Sequence, residues 1–447
     1  MALDNASMKS VVKSKAGSGV FFGWWTVMAT GILNIIGQAF YQYGISALFK
    51  PIASDLGFNR TMTSTAAGIG KLEGGLESPI SGWLVDKFGP KWVIFGGVCL
   101  IGAGLLLMSL VHSAWSYYLV WGVAIGTGIN LSMTIPIDKT LTNWFIRKRG
   151  IAMGIKFACI GIGGAVVIPV VTWLIEHVGW RMTTTIWGIM MFASLLLVVF
   201  FIRQKRPEYY GLLPDGAKLE ENRNSSDLIN TGVEYAARSQ EIEFTLRQAL
   251  KTSAFWLFLV AYAFQLAGQT AISVHLIPLL TDRGIEAMLA GAMMSLMLFF
   301  TIPSRVLGGI IADRIQKQYL SFIIGAAFLL QALGIVAFLI KPGIPTIYVF
   351  LILYGFGTGA APTLAVLIRG RFFGRKAYGS ISGVSSFIMG PVGIISPIYA
   401  GWVYDTTRSY VTAFIVFGSL AALAALLVCF VRPPVPSSRS SDTDRFI

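Results

Sequence analysis

Apolar runs of about twenty residues recur along the whole chain, and each run is long enough to cross about 30 Å of hydrocarbon as a helix. Of the 447 residues, 55% are hydrophobic and 13% are charged. A soluble protein of this length could not bury so much apolar surface. The sequence therefore predicts an all-α integral membrane protein with twelve transmembrane helices. The expected spans are 21–46, 61–85, 92–111, 115–138, 150–175, 182–202, 253–279, 285–312, 319–340, 345–368, 378–402 and 410–431.

The positive charge of the chain, formally +14, is distributed unevenly around these spans. When both termini are placed in the cytoplasm, 25 of the 35 Lys and Arg residues fall in cytoplasmic segments and six in external ones. This is the positive-inside pattern, and it predicts a multi-pass protein of the cell membrane (inner or plasma) with both termini cytoplasmic. We expect the cations to contact membrane lipids with anionic headgroups, and we expect no nucleic-acid partner. The six external cations are Lys50, Arg60, Arg181, Arg283, Lys341 and Arg408.

The residue types that support catalysis or metal binding are not arranged for either purpose. Cys99, Cys159 and Cys429 all lie within apolar stretches, with neither the pattern of a disulfide framework nor that of a zinc site. A nucleophile with its base, or a phosphate-binding loop, is also missing from the sequence. We therefore predict no metal, no cofactor and no enzymatic activity.

One long polar stretch, residues 203–252, divides the chain. We interpret it as a cytoplasmic linker between an N-terminal six-helix bundle, 21–202, and a C-terminal six-helix bundle, 253–431. Cytoplasmic tails are expected at 1–20 and 432–447. The later part of the linker, 241–252, has apolar residues at helical spacing, so we expect a helix there along the membrane surface.

The two halves repeat each other. Gly82 and Asp86 precede Gly309 and Asp313 by 227 residues, and "WFIRKRG" at 144–150 precedes "FFGRKAY" at 372–378 by 228. A nearly constant offset that matches several loops and helices indicates a duplicated bundle. In transporters built this way, the ligand site lies between the halves near the middle of the membrane.

The segment "GWLVDKFGPK" at 82–91 resembles the signature of the major facilitator superfamily between its second and third helices, and "GGIIADRIQK" at 308–317 is a weaker copy. The resemblance implies that these residues close the cytoplasmic side. Glycine permits close helix approach or a tight turn, and aspartate at a helix end accepts hydrogen bonds. The alternative is that the segments only hold a turn. The implied gating residues are Gly82, Asp86, Gly89, Gly309, Asp313 and Arg314.

Within the superfamily, the chain resembles the monocarboxylate transporters and their bacterial oxalate:formate antiporter relatives. The resemblance rests on "NWFIRKRGIAMGI" at 143–155, "RPEYYGLLPDG" at 206–216 and "IPSRVLGGIIADR" at 302–314. It implies that Arg305 is the substrate-binding arginine of the eighth helix. Thr301 stands where monocarboxylate transporters have an aspartate, and Tyr43 where they have a lysine. The lysine of the oxalate exchanger's eleventh helix has no counterpart between 378 and 402, which argues against oxalate exchange.

Ionisable residues within the predicted spans are further candidates for the site. Helical rise places Arg305 and Glu77 about 12 to 13 Å from the cytoplasmic helix ends, near the midplane, where a charge costs about 2.5 to 3.5 kcal/mol. Arg305 could bind a substrate carboxylate with its planar fork, or pair with a glutamate such as Glu77. Glu73 and Glu77 share one helix face, so each should raise the proton affinity of the other. Proton coupling is one role for them, and structural hydrogen bonding is the other.

Polar residues at helical spacing indicate a shared wet cavity, although any one of them could merely join helices. Lys71 either extends toward the outer surface or belongs to the site, and His275 is expected in an outer loop or gate. The predicted substrate-binding residues are Arg305, Tyr43, Gln38, Asn130, Gln265, Gln269 and Tyr354.

Together these features predict a secondary active transporter of a small organic carboxylate, proton-coupled and working by alternating access. The partners would be the carboxylate and either protons or a counter-anion. The alternatives are an organic anion exchanger, an exporter of organic cations or drugs that uses Glu73 and Glu77, and a membrane sensor that does not transport. The sign of the net charge on the bound ligand would distinguish the carboxylate transporter and the anion exchanger from the exporter of organic cations.

Overall fold

The computed structural model describes residues 20–58, 60–217, 242–340 and 343–434, without the side chains of 45, 46, 50, 60–72 and 287. The predictions for the N-terminal tail up to residue 19, for linker residues 218–241, for the C-terminal tail beyond 434 and for the Lys71 side chain lie outside the described residues.

Six helices form the first half of the molecule. Helix α1 runs from 22 to 56 and contains two π-helical turns, Asn34–Gln38 and Phe40–Gly44. It is followed by α2 (Arg60–Phe88), α3 (Pro90–Met108) and α4 (Ala114–Trp144), of which α4 has a π-helical stretch at Tyr118–Ile125. The helical stretch Arg149–Phe201 is broken at Gly179, which has φ 78° and ψ 163°. It therefore divides into α5 (149–178) and α6 (180–201).

The second half repeats this arrangement with more regular helices. They are α7 (Ser253–Asp282), α8 (Ala287–Arg314), α9 (Leu320–Ile340), α10 (Ile344–Phe373), α11 (Tyr378–Thr407) and α12 (Val411–Cys429). Within the described part of the linker, short 3₁₀ turns occur at Pro207–Tyr210 and Pro214–Gly216, and a helix at Leu246–Leu250 begins at the capping residue Thr245.

Nine helical stretches of the described chain are long and apolar enough to cross a membrane. The stretch Arg149–Phe201 has 53 residues, about 80 Å as a helix, so it crosses twice. Helices α1 and α2 complete the twelve that the sequence predicts, and the predicted all-α fold class is confirmed. The expected ends of α1 at 46 and of α4 at 138 were wrong: α1 continues to Leu56, and α4 resumes after a break at Met133 and Thr134 and continues to Trp144. The last turns of α4 are polar yet buried, so hydropathy falls before the helix ends.

Apolar side chains pack inside each half. The first half is organised around Leu33, Trp121 and Met191, and the second around residues such as Phe328 and Phe350. Large apolar side chains are also exposed on the outside of the bundle, among them Trp115 and Ile340, each 77% exposed. Exposed apolar surface of this kind suits contact with lipid tails.

The two ends of the bundle differ. The end where α2 and α8 finish carries Lys87, Arg147, Lys148 and Lys317, and we call it the basic end. At the opposite end, Arg181 at the start of α6 makes an ion pair with Asp55 of α1 and donates to the carbonyl oxygens of Ser109 and Val111, at 3.2 and 3.1 Å. These bonds fasten α1, the end of α3 and α6 together.

Candidate functional site

Arg305 of α8 projects toward the first half and meets helix α5. Its Nη1 atom donates a hydrogen bond of 2.6 Å to the carbonyl oxygen of Phe157. The close approach depends on Gly161, where an added Cβ would lie 3.3 Å from the same Nη1 atom. Arg305 therefore lies at the boundary between the two halves, where a ligand could touch both.

Tyr43 of α1 rests on the same helix one turn further along. Its ring packs against Gly164, where an added Cβ would come within 2.8 Å of the ring. The phenol interacts electrostatically with the guanidinium of Arg305. Two glycines of α5 thus allow a cation of the second half and a phenol of the first half to lie side by side.

Within the part of the chain that the structure describes, no ion pair neutralises the charge of Arg305. Among the described residues, none of the salt bridges contains Arg305, and its buried Nε atom has no hydrogen-bond partner. The predicted alternative, an ion pair with Glu77, does not form in this structure. A cation without a counter-ion inside the membrane is costly, and an anionic ligand would offset that cost.

Glu73 and Glu77 lie together on α2 and face α4. Thr127 donates a hydrogen bond of 2.5 Å to Glu73 Oε1, and the side chains of Thr127 and Asn130 also interact with Glu77. Within the described residues, the Oε2 atom of each glutamate is buried and lacks a partner. A buried carboxyl oxygen without a donor can hold a proton at lower cost than a charge. The two glutamates are therefore placed to take up a proton.

The other predicted polar residues divide between two clusters. Gln38 and Tyr41 lie on the π-helical part of α1, and Tyr41 stacks on Trp121 at 5.7 Å. In the second half, Gln265 donates hydrogen bonds to Gln269 and Gln331, at 3.0 and 3.1 Å. Gln331 was missed from the sequence because it is the one polar residue in the middle of an apolar helix.

Burial separates the members of the second cluster. Gln265, Gln331 and Tyr354 are each 1% exposed, whereas Gln269 is partly exposed. Gln265 therefore joins α7 to α9, and of these four residues only Gln269 has a partly exposed side chain.

Asp86 ends α2 at the basic end and binds the first turn of α11. Its carboxylate accepts hydrogen bonds from the backbone N–H groups of Gly379 and Ser380, at 3.1 and 2.7 Å, and from the Ser380 hydroxyl at 2.8 Å. Lys139 of α4 donates to the same carboxylate at 2.8 Å. A carboxylate at a helix N-terminus is favourable for two reasons. It accepts hydrogen bonds from the first backbone N–H groups, which have no partner within the helix, and it lies at the positive end of the helix dipole.

Asp313 makes the equivalent contact between α8 and α5. It accepts from the backbone N–H groups of Gly150 and Ile151, at 2.7 and 2.8 Å, and from Arg371 at 3.1 Å. Glycines bring the helix pairs together: an added Cβ on Gly82 would lie 2.2 Å from the Gly379 carbonyl oxygen, and one on Gly309 would lie 2.1 Å from that of Gly150. The halves are therefore in backbone contact at the basic end.

Two further predicted gating residues, Gly89 and Arg314, lie outside the contacts made by Asp86 and Asp313. Gly89 forms the turn between α2 and α3 with φ 77°, a conformation that favours glycine. Arg314 is exposed at the end of α8, and the cation that binds Asp313 is Arg371 instead. Arg371 lies 58 residues from its partner, so local sequence carries no signal for the pair.

Two other polar groups of the membrane region have defined partners. Lys156 of α5 forms a buried ion pair of 3.0 Å with Asp138 of α4. His275 contacts the Tyr410 hydroxyl through Nδ1, at 3.2 Å, and the Pro397 carbonyl oxygen through Nε2, at 2.9 Å. The Tyr410 hydroxyl can donate to Nδ1 while Nε2–H donates to the Pro397 carbonyl oxygen, so His275 joins α7 to α11 and to the start of α12.

Comparison with known proteins gives consistent matches over nearly the whole chain. The sequence profile of the Major Facilitator Superfamily matches residues 27–394 and 321–446. Over 423 residues the chain is 26% identical to monocarboxylate transporter 12 of Rattus norvegicus, which covers 92% of this chain and 85% of that protein. Over 429 residues it is 23% identical to the oxalate:formate antiporter of Oxalobacter formigenes, with 94% of each chain covered.

A solved structure shares the fold. The transporter FucP in its outward conformation superposes with a TM-score of 0.68 at 13% identity, over 91% of this chain and 98% of that chain. At this identity the likeness concerns the fold alone.

Proposed function

Because this chain belongs to the major facilitator superfamily, as its sequence predicted, we propose that this multi-pass membrane transporter carries a small organic carboxylate across a cell membrane by alternating access. The printed names of its relatives include a monocarboxylate transporter and an oxalate:formate antiporter, and both names refer to carboxylates. The proposal for this chain rests on its own residues, above all on Arg305.

The observation that carries the proposal is the position of Arg305 between the halves without a carboxylate partner among the described residues. Its guanidinium offers a planar pair of donors, the geometry that fits a carboxylate. Tyr43 lies beside it and can donate a further hydrogen bond to the same anion. A cationic ligand would instead be repelled by Arg305, which disfavours the export of organic cations.

The closed basic end fits one step of such a cycle. We place this end in the cytoplasm, because cations accumulate on the cytoplasmic side of membrane proteins. The contacts of Asp86 and Asp313 then hold the cytoplasmic side shut, and the carboxylate would enter from outside. Release would follow when the two halves separate at Asp86 and Asp313.

We further propose that Glu77, with Glu73, carries a proton that accompanies the anion. A protonated glutamate together with a carboxylate bound to Arg305 leaves the site without excess negative charge. Such a loaded carrier crosses the low-dielectric barrier at less cost than a charged one. Anion exchange is the second candidate, since Arg305 alone can hold one anion at a time and pass it in either direction.

A thermal-shift screen tests the proposal directly. Purified protein is heated with mono-, di- and aromatic carboxylates, and with organic cations as the contrasting class. A ligand present at one hundred times its Kd stabilises the native state by about 2.7 kcal/mol. We expect carboxylates to raise the melting temperature of the wild-type protein and not that of Arg305→Gln. Stabilisation by cations alone would refute carboxylate transport.

A further inference from the structure

We propose that residues 206–216, the segment that follows α6, form a latch that holds the basic end closed through an ion pair between Glu208 and Arg375. We call this segment the linker latch. The inference concerns the conformational cycle, so it does not depend on which ligand the protein carries. It requires only that the halves separate at the basic end during transport.

The linker latch is anchored to the first half. Asp215 accepts hydrogen bonds from three consecutive backbone N–H groups, those of Ile146, Arg147 and Lys148, at 3.2, 2.9 and 2.9 Å. Asp215 adopts φ 61°, a left-handed conformation that aspartate tolerates better than most residues. Tyr210 also stacks on Trp144, with ring centroids 6.4 Å apart. The segment therefore moves with the connection between α4 and α5.

The same segment reaches across to the second half. Glu208 Oε1 lies 3.2 Å from Arg375 Nη1, and the two side chains are 5% and 2% exposed. Arg375 belongs to the connection between α10 and α11, yet its Nη1 atom also donates to the Asn143 carbonyl oxygen, at 3.1 Å. Lys139 of the first half donates to the Arg375 carbonyl oxygen. Arg375 is thus inserted into the first half and held there by Glu208.

The internal repeat relates the position of Arg375 to the contacts that close the basic end. The connections 144–150 and 372–378 correspond to each other in the two halves, and Arg147 corresponds to Arg375. They lead into α5 and α11, the helices whose first turns are bound by Asp313 and Asp86. The linker latch therefore binds the connections that precede both helices. Asp215 binds the connection before α5, and Glu208 binds the connection before α11.

Separation of the halves affects these two attachments differently. The bonds of Asp215 lie within the first half and can persist when the basic end opens. The bond between Glu208 and Arg375 joins the halves and must break. A charge-assisted hydrogen bond in a dry site favours the state that keeps it, so the linker latch biases the protein toward closure at the basic end.

A second ion pair, made by the first residue of the linker latch, provides a matched control. Arg206 Nη2 lies 2.6 Å from Glu243 Oε1, but the side chains are 27% and 38% exposed. Solvent screens such pairs, and they contribute little. Arg206→Gln therefore removes a linker charge of similar position without removing a buried contact.

The test measures the separation of the halves with a pair of spin labels at the basic end. Trp92→Cys and Tyr319→Cys place the labels at positions that are 61% and 50% exposed, one in each half, after the three native cysteines are replaced by serine. Double electron–electron resonance then gives the ratio of open to closed populations. We expect Glu208→Gln to raise this ratio about tenfold, the size expected for loss of one charge-assisted hydrogen bond, and Arg206→Gln to change it less than twofold.

A double-mutant cycle separates the pair from other contacts of Arg375. In the Arg375→Gln background, Glu208→Gln should add less than a further twofold increase, because the partner is already gone. Glu208→Asp keeps the charge on a shorter side chain and should give an intermediate ratio of open to closed populations. This variant tests the proposal if Glu208→Gln does not fold. Unchanged distances in Glu208→Gln, or an equal shift in Arg206→Gln, would overturn the proposal. Neither result would bear on the binding of carboxylate by Arg305.

Discussion

Asp86 and Asp313 make the same contact in opposite directions across the molecule. Each lies near the end of a helix in one half and accepts hydrogen bonds from the second and third residues of a helix in the other half. Each also binds one cation, Lys139 or Arg371. The basic end is therefore closed by two caps related by the internal repeat, and removal of either should weaken closure.

Asp86→Asn should shift the protein toward states that are open at the basic end. The amide can still accept a hydrogen bond, but the charge that meets the helix dipole and Lys139 is lost, at a cost of about 1 to 3 kcal/mol. Asp313→Asn should act in the same direction, because its contacts are equivalent. Labelling of introduced cysteines by a membrane-impermeant reagent, applied from each side in turn, measures the shift. If both variants are labelled as the parent protein is, the caps do not control closure.

Gly82→Ala should prevent full closure while the protein still folds. The new Cβ would lie 2.2 Å from a backbone carbonyl oxygen, and backbone atoms cannot move aside as a flexible side chain can. Gly309→Ala should behave alike. Gly96→Ala is the control, since nothing lies within 4 Å of its added Cβ, and alanine there should leave transport intact and favour the helix by about 1 kcal/mol. Transport in proteoliposomes and the melting temperature are measured together; equal transport by all three would contradict the expectation.

Arg305→Lys should weaken carboxylate binding by about tenfold or more, because the charge remains and the planar fork is lost. Tyr43→Phe keeps the ring that packs on Gly164 and removes only the hydroxyl, so a smaller loss of about 0.5 to 1.5 kcal/mol is expected. Binding is followed by calorimetry with the carboxylate that gives the largest thermal shift. Unchanged affinity in both Arg305→Lys and Arg305→Gln would remove the residue from the site.

Glu77→Gln should abolish the dependence of uptake on an inward proton gradient. The amide has the size of a protonated glutamate but cannot release a proton, so exchange of labelled for unlabelled substrate should continue. Uptake and counterflow are measured in the same proteoliposomes, with Glu73→Gln as the paired variant. Should wild-type uptake ignore the gradient, anion exchange becomes the better account of the protein.

Asp138→Asn should destabilise the protein more than the double variant Asp138→Asn/Lys156→Met. The single change leaves Lys156 buried with its charge uncompensated, which costs about 3 to 5 kcal/mol, whereas replacement of both partners is often nearly neutral. Melting temperatures in detergent compare the variants. If the double variant melts at a lower temperature than the single one, the two side chains stabilise the protein by more than neutralising each other's charge.

The sequence predicts most of the helices, because apolar length is a local property. All twelve spans were predicted in this way, including the break near Gly179 between α5 and α6. Apolar length fails to mark a helix end where polar residues are buried by other elements. The polar last turns of α4, with Asp138 and Lys139, are buried by contact with α5 and with the connection at Arg375, and no local pattern reports that contact.

The sequence also suggested some of the candidate site residues. Family resemblance places Arg305 on α8, and helical spacing puts Glu73 and Glu77 on one face of α2. The partners Arg371, Arg375 and Gln331 were not found, since each is defined by a contact with a distant part of the chain. Gln331, for example, lies 66 residues from Gln265.

The break at Gly179 has a mechanical consequence. Helices α5 and α6 are joined through a single non-helical residue, and Arg181, two residues later, ties α6 to α1 and to the end of α3. The connection therefore has no slack at the end opposite Asp313. When α5 tilts away from α8, the displacement must pass directly into α6 and from there into α1, so α5 acts as a lever that turns the first half as one rigid piece.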